Sequence, residues 1–240
     1  MKVSIVCIAK QEDHYLEEWV NYHLKLGFDR IIIYVNNWRT NFTHEKVTLI
    51  EFDGREKQLP AYNSYIQNNY EFDWTAFIDV DEFIVLKKHK NIKDFISDYK
   101  DYDSICMSWV LFGSNNLTFD ENGEKSVLKR FTMRDKNANP HVKVLVKKNK
   151  SATFLDPHHT SLGWVDTNHT KGTGPYNLNP VTDIIQLNHY FTKTKEEFEK
   201  KIKRGRVDLD TPGSNRTMKD FHDHDINDVE DLLALNFYNS

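Results

Sequence analysis

Short apolar runs alternate with segments of helical periodicity over the first 80 residues. The apolar runs are VSIVCIA (3–9), RIIIYV (30–35), VTLIEF (47–52) and TAFID (75–79). Helical spacing separates them, first between Tyr15 and Gly27 and again from Leu59 to Tyr70. Strands separated by helices predict a parallel sheet that is covered on both faces and binds ligands at the carboxyl ends of its strands. The sequence therefore predicts an α/β fold.

The second half of the sequence is less regular. Its signals are a helix at 92–99, a long strand at 104–113 and short strand candidates near 127–131, 142–147 and 184–189. The segment 156–180 is rich in Gly, Pro and His, and such a long loop is typically a lid, a binding loop or disordered. Because no repeat, low-complexity tract or linker interrupts the chain, we expect one domain over 1–240. Its regular part covers about 1–100 and its irregular part about 101–240.

The composition is that of a water-soluble globular protein. Hydrophobic residues make up 39% and charged residues 28% of the chain. A net charge of −4 argues against general nucleic-acid binding. No apolar stretch approaches the roughly 20 residues that a membrane span needs, and Met1 leads straight into the first apolar run. Cys7 and Cys106 lie in apolar runs and are expected to be reduced core residues. We therefore expect a cytoplasmic protein.

A basic segment covers residues 193–206, with seven Lys or Arg against three Glu. Phe198 and Ile202 are four residues apart, which is helical spacing. One interpretation is a solvated amphipathic helix. The other is a cationic element that faces phosphate groups or makes peripheral contact with the inner face of a membrane.

Three carboxylates interrupt the apolar stretch WTAFIDVDEFIVL at Asp79, Asp81 and Glu82. They repel one another, and their desolvation is costly unless something positive binds there. Oxygen ligands at the end of a strand suit Mg²⁺ or Mn²⁺, which bind one or two carboxylates together with substrate phosphates. An acidic turn is the alternative, since an Asp-x-Asp pair is weak evidence by itself.

Several blocks of the sequence resemble one enzyme family in the same order. They are CIAKQEDHYLEEWVNYHLKLGFDRIIIYVNN, FIDVDEF, WVLFGSNN, the His158–His159 pair and LNHYFTKTKEEFEKKIKRG. They look like blocks of the family 92 glycosyltransferases and their bacterial relatives in the broader family 2 group. The resemblance covers roughly Val3 to Gly205 and implies the GT-A fold, a mixed sheet flanked by helices. It further implies a nucleotide-binding part over about 1–100 and an acceptor-side part over about 101–240.

The same resemblance answers what binds the carboxylates. It implies that Asp81, His189 and Asp79 surround Mn²⁺ or Mg²⁺, which carries the diphosphate of a UDP-sugar donor. Asp79 would also contact the ribose or the sugar. The residues expected to hold the diphosphate are Lys193, Lys203 and Arg204. The residues expected near the uridine are Ala9, Lys10, Glu12, Asn36 and Asn63.

The acceptor side is less sharply defined by the sequence. If transfer inverts the anomeric centre, a general base must deprotonate the acceptor hydroxyl. The candidates are His158, His159 and Asp156, which lie together on the histidine-rich loop. Trp109 or Trp164 would stack on a sugar, although each alone is also a normal core residue.

The leading hypothesis is a metal-dependent glycosyltransferase that moves a hexose from a UDP-sugar to a glycan or lipid-linked glycan acceptor. Galactose is the first expectation for the sugar, inversion for the stereochemistry, and bacterial surface polysaccharide or lipooligosaccharide for the pathway. A nucleotidyltransferase of similar fold is one alternative, but IAKQEDHY has no glycine-rich phosphate loop after the first strand. A non-catalytic glycan-binding protein on a GT-A scaffold is the other alternative.

Overall fold

The structure is a computed structural model that describes residues 1–69, 71–119, 123–209 and 215–240. The helices are α1 (Asp13–Lys25), α2 (Gln58–Asn68), α3 (Ile92–Asp98), α4 (Val127–Arg130), α5 (Lys195–Arg204), α6 (Met218–His224) and α7 (Leu233–Asn239). The first strands are β1 (Val3–Ala9), β2 (Arg30–Val35), β3 (Val47–Glu51), β4 (Trp74–Phe77), β5 (Glu82–Leu86), β6 (Ser104–Leu111) and β7 (Met133–Arg134). The later strands are β8 (Asn139–Lys147), β9 (Phe154–Asp156), β10 (His159–Thr160), β11 (Trp164–Val165), β12 (Lys171–Gly172), β13 (Ile185–His189) and β14 (Val229–Glu230).

The first four strands form the parallel half of the main sheet, as their sequence pattern predicts. Strand β1 lies between β2 and β4 and is parallel to both, and β2 is also parallel to β3. Their side chains alternate between two layers. On β1, Ile5 and Cys7 belong to the core beneath α1 and α3, whereas Val6 and Ile8 pack with the buried residues of α2.

The second half of the chain extends the sheet with antiparallel strands. Strand β8 inserts between β4 and β6 and is antiparallel to both, and the full path is β12-β11-β6-β8-β4-β1-β2-β3. Strand β13 pairs in parallel with β6 and antiparallel with β5. The predicted fold class, an α/β GT-A domain with a mixed sheet flanked by helices, is confirmed.

The register of β13 has the main consequence for function. His189 lies opposite Glu82 in the ladder between β13 and β5, and the next backbone amide, that of Tyr190, donates to the Asp81 carbonyl at 2.9 Å. This pairing brings His189 beside Asp81 although 107 residues of chain separate the two positions.

Two local predictions are wrong. Residues 127–130 form the short helix α4 rather than a strand, because the Ser126 hydroxyl caps the turn by accepting from the Lys129 amide. The segment 156–180 is not structureless, since it contains β10, β11 and β12 and the end of β9. Helix α2 ends at Asn68, and Tyr70, the predicted end, lies outside the described residues.

The predicted state of the two cysteines is confirmed, since Cys7 and Cys106 are buried and free. Within the described residues, no helix is both long enough and apolar enough to cross a membrane.

Candidate active site

A cavity of about 280 Å³ opens at the carboxyl ends of β1 and β4, on the side covered by α5 and α6. Parallel strands present ligands at this edge, so its position agrees with the sheet topology. Charged side chains and histidines dominate its wall. They are Lys10, Glu12, Asp79, Asp81, His141, Lys143, His158, His189, Lys201, Arg204, Arg206, Asp208, Arg216, Asp220 and His224.

Asp81 is buried and divides its two carboxylate oxygens between different partners. Its Oδ2 atom accepts from the Lys201 ammonium at 2.8 Å, and the Lys193 ammonium lies 3.9 Å from the same oxygen. Its Oδ1 atom faces His189 Nε2 at 3.6 Å. Burial alone would raise the pKa of the Asp81 carboxyl, but Lys201, His189 and Lys193 hold that pKa well below its ordinary value. Asp81 is therefore a carboxylate at neutral pH.

The Asp81–His189 pair fits a divalent cation. The 3.6 Å gap is too long for a hydrogen bond, and the buried His189 Nδ1 has no partner among the described residues. Burial lowers the pKa of His189 despite the opposing effect of Asp81, which favours the neutral imidazole that metals bind. No group of three or more His, Cys, Asp or Glu in the described ranges is arranged to hold a metal. Mg²⁺ or Mn²⁺ at this pair would therefore need donors from a bound substrate.

The Asp79 carboxylate is bound by other side chains. Its Oδ2 accepts from the Lys143 ammonium at 2.9 Å, and its Oδ1 accepts from Gln58 Nε2 at 2.8 Å. Burial would lower the pKa of Lys143, but Asp79 and Glu82 raise it above its ordinary value, so Lys143 is charged. The structure thus places a resident cation, the Lys143 ammonium, against Asp79.

Glu82 completes the acidic motif beneath the cavity floor. It is fully buried, and its Oε2 accepts from the Asp79 backbone amide at 2.8 Å. Burial raises the pKa of the Glu82 carboxyl well above its ordinary value, with Lys143 opposing and Asp79 adding to the rise. Its bond to the backbone fixes the turn that carries Asp79 and Asp81.

Helix α5 carries the cation that reaches Asp81. Thr194 and Glu197 form a capping box at its start, and Arg130 binds both Glu197 oxygens at 2.9 Å. These contacts anchor the helix so that Phe198 and Lys201 face inward. Lys200 is exposed and pairs with Glu196. Part of the basic segment therefore lines the cavity with positively charged side chains. This arrangement favours a phosphate-facing element over a solvated amphipathic helix.

The residues predicted near the diphosphate separate into two groups. Arg204 lines the cavity and forms an ion pair with Glu12, whereas Lys203 is exposed and is not part of the wall. Lys193 is buried behind Asp81, with its ammonium 4.1 Å from the Tyr15 ring centroid.

The residues predicted near the uridine also separate. Lys10 and Glu12 line the cavity, but the other three do not. Ala9 is buried at the end of β1. The Asn36 amide donates to the carbonyls of Phe52 and Gly54, and Asn63 binds the backbone of Phe154.

His158 is the member of the predicted catalytic group that lines the cavity. Its Nδ1 lies 2.9 Å from the Val142 carbonyl, which can only accept, so Nδ1 carries the proton and Nε2 keeps its lone pair. Burial, with a contribution from Lys143, lowers the pKa of His158 to about 4. The side chain is therefore a neutral imidazole at pH 7 with Nε2 available as an acceptor.

Asp156 and His159 have a different position. The Asp156 carboxylate accepts from the backbone amides of His158 and His159 and lies 3.0 Å from His159 Nδ1. Neither residue lines the cavity. Asp156 thus shapes the turn that presents His158.

The two tryptophans predicted to stack on a sugar have different surroundings. Trp109 lines the cavity, with its ring stacked on His141 at 4.8 Å and 4.2 Å from the His189 ring centroid. Trp164 is buried against Gly172, and its indole donates to the Gly174 carbonyl. Trp164 is therefore a core residue.

The sequence analysis did not identify several residues that line the cavity. Two of them, Lys201 and Lys143, could have been found from the local sequence pattern. Lys201 is three residues after Phe198, so helical spacing puts both on the buried face. Lys143 interrupts the apolar strand HVKVLVK, and a charge at such a position needs a buried partner. Arg206, Arg216 and the histidines at 141 and 224 reach the cavity only through the tertiary fold.

Comparison with known proteins identifies a protein family for this chain. The model of the protein family "Glycosyltransferase family 92" matches residues 51–236. The chain belongs to glycosyltransferase family 92. A family 92 protein of Arabidopsis thaliana is 24% identical over 216 residues, which are 79% of this chain and 35% of that protein. A family 92 protein of Ricinus communis is 24% identical over 220 residues, 85% of this chain and 38% of that protein.

This family 92 chain spans little more than a third of the length of the relatives that it matches. Among solved structures, HddC from Yersinia pseudotuberculosis superposes with a TM-score of 0.41 at 12% identity, over 82% of this chain and 96% of HddC.

Proposed function

We propose that this chain is a metal-dependent glycosyltransferase that transfers a hexose from a UDP-sugar to a glycan acceptor with inversion of the anomeric centre. Membership of family 92 supports glycosyl transfer. The observation that carries the metal requirement is the environment of the Asp81 carboxylate. Its Oδ1 faces His189 across a gap, and its Oδ2 is neutralised by Lys201.

In the proposed donor complex, Asp81 and His189 hold Mn²⁺ or Mg²⁺. When bound, the cation neutralises negative charge on the departing diphosphate. Lys201 keeps Asp81 ionised and oriented, and Arg204 contributes positive charge to the same wall of the cavity. Asp79, held by Lys143 and Gln58, is positioned to accept from hydroxyl groups of the donor.

His158 is the proposed general base. The acceptor oxygen forms a bond to the anomeric carbon while the bond from that carbon to the UDP oxygen breaks, and the electron pair leaves with UDP. The acceptor proton passes to His158 Nε2, and the Val142 carbonyl stabilises the resulting imidazolium through Nδ1. Trp109, which lines the same cavity, contributes an apolar surface for the acceptor sugar.

The finer assignments rest on the resemblance of the sequence blocks to bacterial relatives. We propose galactose as the first hexose to test, and a glycan or lipid-linked glycan of a bacterial surface polysaccharide or lipooligosaccharide as the acceptor. A site in the cytoplasm, at the inner face of the membrane, would give access to a lipid-linked acceptor.

The first test is calorimetric titration of the protein with UDP, in Mn²⁺ and then in EDTA. We expect tight binding in Mn²⁺ and much weaker binding in EDTA. Asp81→Asn should bind UDP in Mn²⁺ no better than the wild type does in EDTA, because the carboxylate that holds the cation is gone. Asp183→Asn is the control, since Asp183 is an exposed carboxylate paired with Lys88 outside the cavity.

A panel of UDP-hexoses tested for hydrolysis then identifies the donor sugar. Full Mn²⁺-dependent UDP binding by Asp81→Asn would refute the metal assignment. If UDP binds in neither condition, the proposed donor is wrong.

A further inference from the structure

Among the described residues, helix α5 and the positions 206 and 216 that follow it contribute four cations to the cavity wall. Three of them are matched by carboxylates: Lys201 by Asp81, Arg204 by Glu12 and Arg206 by Asp208. A fourth carboxylate, Asp220, accepts from the backbone amide and hydroxyl of Thr217 in the capping box of α6. The fourth cation, Arg216, forms no ion pair with a carboxylate of the described residues.

Arg216 makes no ion pair and no side-chain hydrogen bond with any residue that the structure describes. It is partly buried, lines the cavity, and lies over the Phe191 ring with 5.8 Å between Cζ and the centroid. The Lys201 ammonium lies 4.3 Å from the same centroid, so one ring carries both cations. Burial and the neighbouring Arg206 lower the pKa of the Arg216 guanidinium, and the charges of Asp208 and Asp81 oppose this only in part. An unpaired guanidinium in such a place is stabilised by an anionic ligand.

We propose that Arg216 binds the diphosphate of the donor directly, as a second source of positive charge beside the Asp81–His189 pair. This inference rests on the proposed function for the identity of the anion. Arg216 and Lys201 both lie over the aromatic ring of Phe191, and Lys201 contacts Asp81. The guanidinium therefore lies on the side of the cavity where the diphosphate is proposed to bind. Its planar fork of N–H donors matches two phosphate oxygens at once.

The role follows from the direction of charge movement in the reaction. When the bond to the anomeric carbon breaks, negative charge increases on the diphosphate oxygens. A guanidinium that forms no ion pair with the described residues is free to turn to the ligand, and its attraction for the diphosphate increases as that charge grows. Arg216 therefore stabilises bound UDP as well as the departing group, and part of this interaction persists without a metal ion.

The test uses inorganic pyrophosphate and UDP as calorimetric probes of the whole chain in EDTA. We expect the wild type to bind both weakly but measurably, and Arg216→Gln to bind each roughly 10- to 100-fold more weakly, as expected for the loss of a charged hydrogen bond. Arg216→Lys should recover part of the affinity because it keeps the charge but not the fork. Lys219→Gln is the matched control, since Lys219 is an exposed cation on α6 paired with Asp223.

Competition between the two probes identifies the anion. Pyrophosphate that displaces UDP supports the diphosphate of the donor, whereas simultaneous binding of both would overturn that assignment. Equal affinities of the wild type and Arg216→Gln for both probes would overturn the role of Arg216, even if UDP binding in Mn²⁺ upheld the proposed function. Arg216-dependent pyrophosphate binding by a protein that does not bind UDP would support the anion site and refute the proposed donor.

Discussion

Replacement of Lys143 by Met tests how the acidic motif is held in the fold. Lys143 is 1% exposed, and its ammonium contacts Asp79 Oδ2 at 2.9 Å and the Pro157 carbonyl at 3.3 Å. Met keeps the apolar stem and removes the charge, which leaves Asp79 near Glu82 and Asp81 without its cation.

The size of the effect follows from the surroundings of the pair. Removal of one partner from a buried ion pair costs about 3–5 kcal/mol because the other charge stays desolvated. The Asp79 side chain is 31% exposed and keeps its bond from Gln58, so water replaces part of the lost contact. We therefore expect Lys143→Met to lower the free energy of unfolding by about 3 kcal/mol, the lower end of that range.

Urea unfolding at pH 7 measures this change, and a double-mutant cycle assigns it to the pair. Asp79→Asn in the Lys143→Met background should restore about half of the loss, because the unpaired charge is removed. Lys147→Met is the control on the same strand, since Lys147 reaches the surface, where its ammonium binds the Lys100 carbonyl. If Lys143→Met and Lys147→Met have the same stability, the buried pair does not stabilise the motif as argued.

Two further predictions concern the reaction and the anchoring of α5. His158→Ala should lower the turnover number about 100-fold or more while UDP affinity stays constant, whereas the exposed His222→Ala should not change either. The wild-type rate should fall as the pH drops through about 4, where His158 becomes protonated, and a rate with unchanged pH dependence in His158→Ala would contradict its role. Glu197→Gln should be less stable than the wild type at pH 7 in urea unfolding. Despite burial, Arg130 lowers the pKa of Glu197 to about 2, so this stabilisation exists above the ordinary Glu pKa and disappears as the pH falls towards 2. A stability gap that stays constant from pH 7 to pH 3 would refute this linkage.

Much of the nucleotide-side architecture was predictable from local pattern. Parallel strands that are buried on both faces read as continuous apolar runs, and the helices between them show the 3.6-residue period. For this reason the positions of β1 to β4 along the chain, their parallel arrangement and the placement of Asp79 and Asp81 at a strand end followed from the sequence. His189 was predicted only from the sequence block that contains it. Periodicity could not predict its position beside Asp81, because that position depends on the long-range register between β13 and β5.

The errors came from segments where local pattern is weak. Residues 127–130 have the apolar content of a short strand, but a capped turn and packing decide their helical conformation. Asn36 and Asn63 lie near strand ends in the sequence, yet both satisfy backbone groups instead of facing the cavity. A polar side chain near a strand end can form its hydrogen bonds with a ligand or with nearby backbone groups. The conformation of the surrounding loops determines which of the two occurs.

The sequence by itself determined the α/β layering, the acidic motif at the end of β4 and the membership of a glycosyltransferase family, because these depend on short-range periodicity and on ordered blocks of residues. Only the tertiary structure decided which cations meet which carboxylates. Lys201 reaches Asp81, Lys143 reaches Asp79, and Arg216 lies against Phe191 without an ion pair to any described residue. Long side chains from distant segments converge on one cavity only after the sheet register and the docking of α5 and α6 are established, and local pattern does not encode that convergence.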